Sequence, residues 1–207
     1  MTVFLYSFLI LERIKRYYHF FKNLIFNPSL LIFIIKNKNV HIGDCILRQC
    51  VFKSSGKNNE LIIEDGCMLV GLNVYMEGNG NKVIIRTCTT MNATKSLPVR
   101  LNACENCTID IGCDCLFSNN IQLHTTDYHS IVDDQGVRTN RPCDIVIGSH
   151  VWIGFNAILL KGVCIPDNSV IATGALVCST INEKNCVIAG VPARVVKHGS
   201  NWVRDKL

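Results

Sequence analysis

The residues of this 207-residue chain whose types and spacing could do chemistry are its six histidines and a knot of cysteines. An imidazole titrates near neutral pH, so it can take a proton from a hydroxyl that would not ionise unaided. His124 and His129 open a polar run of 21 residues, His124-Thr-Thr-Asp-Tyr-His-Ser-Ile-Val-Asp-Asp-Gln-Gly-Val-Arg-Thr-Asn-Arg-Pro-Cys-Asp144. His150 follows shortly after, and these three histidines could also meet a zinc ion. His19, His41 and His198 lie where solvated or structural histidines are the plain expectation. Cys104-x-x-Cys107 has zinc-ligand spacing, with Cys113 and Cys115 close behind. Yet Cys107 and Cys113 are six apart, as repeat positions would be, and Cys113 and Cys115 would share one strand face. Reduced thiols acting as small hydrophobes in a core or turn are therefore expected.

The elements that must position these groups are written in a period of six. Ile147, Ile153, Leu159, Ile165, Ile171 and Val177 form an unbroken aliphatic ladder. Two places before each stand Ile145, Val151, Ala157, Val163, Ser169 and Ala175, all apolar or small. Six matches neither a helical turn nor strand alternation. It matches a coil of triangular section in which each short strand points one aliphatic residue at the axis, a parallel β-helix. The period recurs at Ile111, Phe117 and Leu123, and more loosely at Ile63, Leu69 and Tyr75. Turn-rich interruptions at 53–59 and 77–81 make the first half irregular. The polar run breaks a rigid repeat between adjacent coils, so it must protrude as a loop, expected near Trp152; such excursions usually carry function.

The segments Ile145-Val-Ile-Gly-Ser-His-Val-Trp-Ile-Gly154, Val170-Ile-Ala-Thr-Gly-Ala-Leu-Val177 and Ala189-Gly-Val-Pro-Ala-Arg-Val-Val-Lys197 resemble the hexapeptide-repeat acyltransferases, strongly over roughly Ile109 to Lys197. The resemblance implies an all-β solenoid, a left-handed parallel β-helix, assembled as a trimer or a dimer of trimers. It implies acyl transfer from a thioester donor, here acetyl-CoA. The domain plan is an N-terminal helical segment over 1–39, the β-helix over 40–197 with its excursion loop at 124–144, and a short polar tail over 198–207.

Acetyl transfer to a hydroxyl needs a base, donors facing the oxyanion, and two substrates held in register. The run Asp127-Tyr-His-Ser-Ile131 resembles the stretch that bears the catalytic histidine in polysaccharide O-acetyltransferases of this family, which makes His129 the base. Asp127 would orient that imidazole, bind the acceptor, or only cap a turn. Trp152 matches a tryptophan that lines the reaction centre in those enzymes, with subunit packing as its alternative. The donor's pantetheine arm would pass Gly154, Ala172, Thr173 and Gly174, where small residues admit it to the backbone. Arg194 and Lys197 suit its phosphates; Cys178-Ser179 replaces the Thr-Lys frequent in relatives. On the acceptor side, Asn119, Arg138 and Arg141, with Arg100 and Asn120, are polar groups near the expected cleft, and arginines suit an acidic sugar. The leading expectation is an O-acetyltransferase acting on a sugar of a surface polysaccharide or its precursor. The alternatives are an acetyltransferase of a small molecule (amino acid, antibiotic or nucleotide sugar), a carbonic-anhydrase-type metal-dependent hydrolase, and a non-catalytic scaffold.

The net charge of +5 is spread along the chain, which suits anionic ligands but lacks the clustered basic face of a nucleic-acid binder. Twelve cysteines without a signal peptide imply a reducing compartment, so a cytoplasmic place is expected. Within 1–39 the apolar runs are each too short to span a bilayer, and Asn27-Pro28 interrupts the second. Two readings stay open for this segment: helices covering the solenoid end or a neighbouring subunit, or an interfacial anchor on the cytoplasmic face of a membrane.

Overall fold

The computed structural model describes Ile14 and residues 17–37 and 39–205. Three sheets form the sides of a triangular prism, and every coil places one strand in each. Sheet one holds Asn39–Ile42, Glu60–Ile63, Lys82–Ile85, Thr108–Ile111, Ile145–Ile147 and Cys164–Ile165. Sheet two holds Ile46–Arg48, Met68–Val70, Thr90–Asn92, Leu116–Phe117, Trp152–Ile153, Val170–Ile171 and the closing antiparallel pair Val187–Gly190 and Ala193–Lys197. Sheet three holds Val51–Ser55, Leu72–Glu77, Val99–Cys104, Gln122–His124, Ile158–Leu160 and Leu176–Val177. Apart from that last hairpin the pairing is parallel.

The core is three stacked columns of apolar side chains, one per sheet. On sheet two Leu47, Leu69, Met91, Phe117, Ile153, Ile171 and Ile188 pair in register, all buried. On sheet three the column is Phe52, Val74, Leu101, Leu123, Leu159 and Val177. Val74, and not Tyr75, is the inward residue of the second coil. Gly71, at φ +70°, shortens that corner by one residue, so the six-spacing slips there. A Cβ on Gly71 would lie 2.8 Å from the Ala93 carbonyl carbon, which fixes glycine at the turn. Several corners of the later coils are turned by asparagine at positive φ (Asn120, Asn156, Asn168), the non-glycine residue that tolerates this region best.

The N-terminal end is sealed by two helices, α1 (Tyr17–Phe26) and α2 (Pro28–Lys36), bent by 106° at the break between them. Pro28 starts the second, where its missing N–H costs nothing. Side-chain amides take the place of a preceding strand for the first coil. Asn23 Nδ2 donates to the Cys45 carbonyl at 3.0 Å and Asn27 Nδ2 to that of Leu47 at 3.0 Å. Their Oδ1 atoms accept from Leu47 N and Cys50 N at 2.9 and 2.8 Å. The edge backbone groups are thereby satisfied, and Leu30 and Phe33 plug the prism, Phe33 edge-on to Phe52. Among the described residues no single helix is long and apolar enough to cross a membrane.

All twelve cysteines are free thiols. Cys113 and Cys115 do not share a strand face: Cys113 sits in a turn, and Cys115 points into the core with no exposed surface. The expected polar tail is not solvated throughout either, because Trp202 is buried against the corner between sheets one and two.

Candidate active site

The excursion leaves sheet three after His124, which ends the strand Gln122–His124 and so belongs to the coil, and returns at Ile145. The loop is pinned at both ends. Thr125, fully buried, donates through Oγ1 to the Cys104 carbonyl at 3.1 Å, and its own carbonyl accepts from Cys143 N at 3.0 Å. Across the middle, Asp127 is ion-paired with Lys161 of the next coil. Asn140 Nδ2 donates to Asp127 Oδ2 and to the His129 carbonyl, both at 2.8 Å. Arg138 is ion-paired with Glu105, which also accepts from the Thr126 hydroxyl. The Lys161 ammonium and the Asn140 amide hold the Asp127 carboxyl below the usual carboxylate range, and Arg138 and Thr126 do the same for Glu105.

His129 stands on this loop beside a cleft of about 480 Å³ lined also by Glu77, Gly78, Cys104, Glu105, Tyr128 and Arg138. Tyr128, just before it, has φ +63°, an outlier conformation for so large a residue. Burial pushes the Tyr128 phenol up to about 12, with Cys104 adding to the shift, so it remains a hydrogen-bond donor at neutral pH. The His129 imidazole makes no hydrogen bond within the chain among the described residues. His124 differs: Nδ1 meets Asn102 Nδ2 at 3.3 Å and Nε2 meets Gln122 Oε1 at 3.2 Å, and burial, then Arg100, lowers its pKa. His150 is likewise occupied, by Asp114 at 2.7 Å and the Trp202 carbonyl at 3.0 Å. Two of the three histidines that a shared zinc would need therefore have both ring nitrogens engaged. Among the described residues no cluster of histidine, cysteine and carboxylate side chains could hold a metal ion.

The other sequence-derived residues fall on different sides of the prism. The loop leaves the corner between sheets three and one, whereas Trp152 lies on the outer face of sheet two, 40% exposed, so one chain does not bring it to His129. Gly154, Ala172, Thr173 and Gly174 share the corner between sheets two and three. Part of this smallness belongs to coil stacking, since a Cβ on Gly154 would lie 2.7 Å from Thr173 N. Gly174 is different: a Cβ there would meet nothing within 4 Å, although its N–H is spent on the Phe155 carbonyl at 2.8 Å. Asn119 occupies the same corner one coil earlier, and its buried Oδ1 has no hydrogen-bond partner. Arg194 and Lys197 are exposed on the final hairpin, and the Arg194 guanidinium donates to the Ala193 carbonyl at 2.7 Å. Asp127 and Arg138 are committed to Lys161 and Glu105, while Arg141 is exposed.

Sequence reasoning missed Glu105, Asn140 and Lys161, whose roles come from contacts across coils. It also missed Trp202, although a second tryptophan in a short tail was a visible signal.

No family profile matches the chain. A polysialic acid O-acetyltransferase of Neisseria meningitidis is 33% identical over 166 residues, which are 72% of this chain and 77% of that protein. Another protein of that description, from Escherichia coli O1:K1, is 32% identical over 126 residues, 60% of this chain but 39% of its own length. The crystallographic structure of the polysialic acid O-acetyltransferase OatWY is 34% identical and superposes with a TM-score of 0.75 over 81% of this chain and 78% of that one. Its coil is the left-handed parallel β-helix. Sharing that coil over most of both lengths with a relative at this identity, the chain belongs to the hexapeptide-repeat acyltransferases, and within them to the O-acetyltransferases.

Proposed function

We propose that the chain transfers an acetyl group from acetyl-CoA to a hydroxyl of a polysaccharide or its precursor, with His129 as general base. The observation that supports this most is the contrast between histidines. His129 has both ring nitrogens free at the mouth of a cleft on a pinned loop, while His124 and His150 have theirs engaged. The imidazole takes the hydroxyl proton as the oxygen attacks the thioester carbonyl in a ternary complex. The tetrahedral intermediate then collapses, the new C–O bond remains, the C–S bond breaks, and the proton passes to the departing thiolate.

The donor's arm would lie at the corner of Gly154 and Gly174, where a Cβ on Gly174 would meet nothing within 4 Å and room is left for pantetheine. Arg194 and Lys197 would take the phosphates. The acceptor assignment follows the relatives named for polysialic acid. With Arg138 committed to Glu105, Arg141 and Arg100 are the cations left for an acidic sugar. Because Trp152, the donor corner and His129 lie on different sides of one prism, a site containing all of them requires neighbouring chains, which supports a trimer or a dimer of trimers. Twelve unpaired thiols suit the cytoplasm.

The test is acetyl transfer from labelled acetyl-CoA onto acidic and neutral glycans, read as alkali-labile ester, with light scattering on the same sample. An ester on a glycan and an oligomer are expected. Transfer confined to amino acids or antibiotics would overturn the acceptor class, and a fully active monomer would overturn the shared site.

A further inference from the structure

The helices that close the prism have two unlike faces. One is spent on the first coil, through Asn23, Asn27, Leu30 and Phe33, all buried. The other is apolar and uncovered: Tyr17, Phe21, Ile25, Phe26, Ile32 and Ile35 are each between 57% and 74% exposed. A contiguous exposed apolar patch on this scale marks a surface that meets something. Its charge is mostly positive: Lys22 and Lys36 are exposed on the two helices, and Arg13, Lys15, Arg16 and Lys38 stand beside them in the sequence. Of the acidic residues that bracket this run, Glu12 and Asp44, the second is ion-paired with His19. Lys22 lies over the Tyr18 ring at 4.7 Å, a cation beside an amphipathic aromatic.

We infer that this face docks the enzyme on an anionic lipid surface, with α1 and α2 lying in the headgroup region. Three features favour lipid over a second copy of the same face. Neither described helix is by itself long and apolar enough to cross a bilayer, and the 106° break between them lets both lie along an interface. Apposition of two such faces would set Lys22 and Lys36 against their own copies, whereas anionic headgroups supply the opposite charge; contact with another surface of a neighbouring chain is the alternative that the flotation test separates. Exposed aromatic rings with Lys22 over one of them match the layered polarity of a membrane interface. Since the opposite face already seals the coil, docking leaves the prism intact, with its loop and donor corner free in solution.

Flotation of the full chain with phosphatidylcholine vesicles, with and without about 30% phosphatidylglycerol, tests this. Flotation separates bound protein from aggregate, which does not float. The chain should float with the anionic vesicles, at least ~tenfold less with neutral ones, and less as salt rises. Replacing Ile25 and Ile32 together by Glu should abolish flotation while circular dichroism and melting stay as in the parent, because both side chains are solvent-facing. Lys22→Glu with Lys36→Glu should remove the preference for anionic vesicles. Absence of flotation with anionic vesicles would overturn the inference. So would an Ile25→Glu, Ile32→Glu variant that still floats but has a lower mass by light scattering, since the face would then belong to a second copy.

Discussion

The His150 imidazole lies flat on the Trp202 indole, ring centroids 4.3 Å apart and planes within 8°. Trp202 Nε1 donates to the His150 carbonyl at 2.9 Å, and His150 spends both ring nitrogens on Asp114 and the Trp202 carbonyl. Arg204 closes the group by pairing with Asp114 at 2.7 Å. The segment after the last strand is thus strapped across the corner between sheets one and two, and the Trp202 ring centroid lies 6.3 Å from that of Trp152.

Trp202→Ala should lower stability by ~3 kcal/mol, the low end for removing a buried aromatic, because a hydrogen bond and the stack are lost together. Denaturant melts measure it. Trp202→Phe should recover much of the loss, keeping the ring and losing the indole N–H.

His129→Ala should keep the parent melting curve, since its side chain makes no contact in the core. Its transfer rate should fall by ~10²–10⁴, the usual worth of a general base. His124→Ala is the matched control and should cost far less rate, with a modest loss of stability from the Asn102 and Gln122 bonds. Steady-state kinetics of the two variants decide between them; a dead His124→Ala beside an active His129→Ala would reverse the assignment.

Asp127 and Glu105 have carboxyls held below the ordinary range by Lys161 and Arg138, so the folded loop binds these protons less readily than the unfolded chain. The stability they contribute is complete above the unfolded carboxylate pKa of ~4 and is lost as pH falls through the depressed folded values. Hydrogen exchange in the 125–144 backbone should therefore show protection that is flat near neutrality and falls in acid. Asp127→Asn should lose protection at pH 7 and flatten that acid response.

The thiols divide by burial. Desolvation pushes Cys50, Cys67 and Cys107 up to about 11 and Cys115 to about 12. Native alkylation at pH 8 should modify the exposed Cys88, Cys143, Cys164 and Cys178, leaving these four buried thiols untouched until denaturant is added. Peptide mass spectrometry gives the count.

What the sequence determined by itself is the coil. Each turn of the prism demands one aliphatic residue per side, so Ile147, Ile153 and Leu159 announce three sides without any knowledge of partners. The loop was legible for the same reason, as a gap in that demand. Where a corner changes length the demand stays but the spacing shifts, which is why Tyr75 was read inward and Val74 proved to be. Tertiary structure decided the rest, because it depends on which coil lies above which. Asp127 meets Lys161 across 34 residues, and His150 meets Trp202 across 52. No short-range pattern encodes such pairs; stacking at the prism's repeat brings them together. The same stacking assigns Trp152 and His129 to different sides, since a residue's side is set by its place in the coil and not by its distance along the chain.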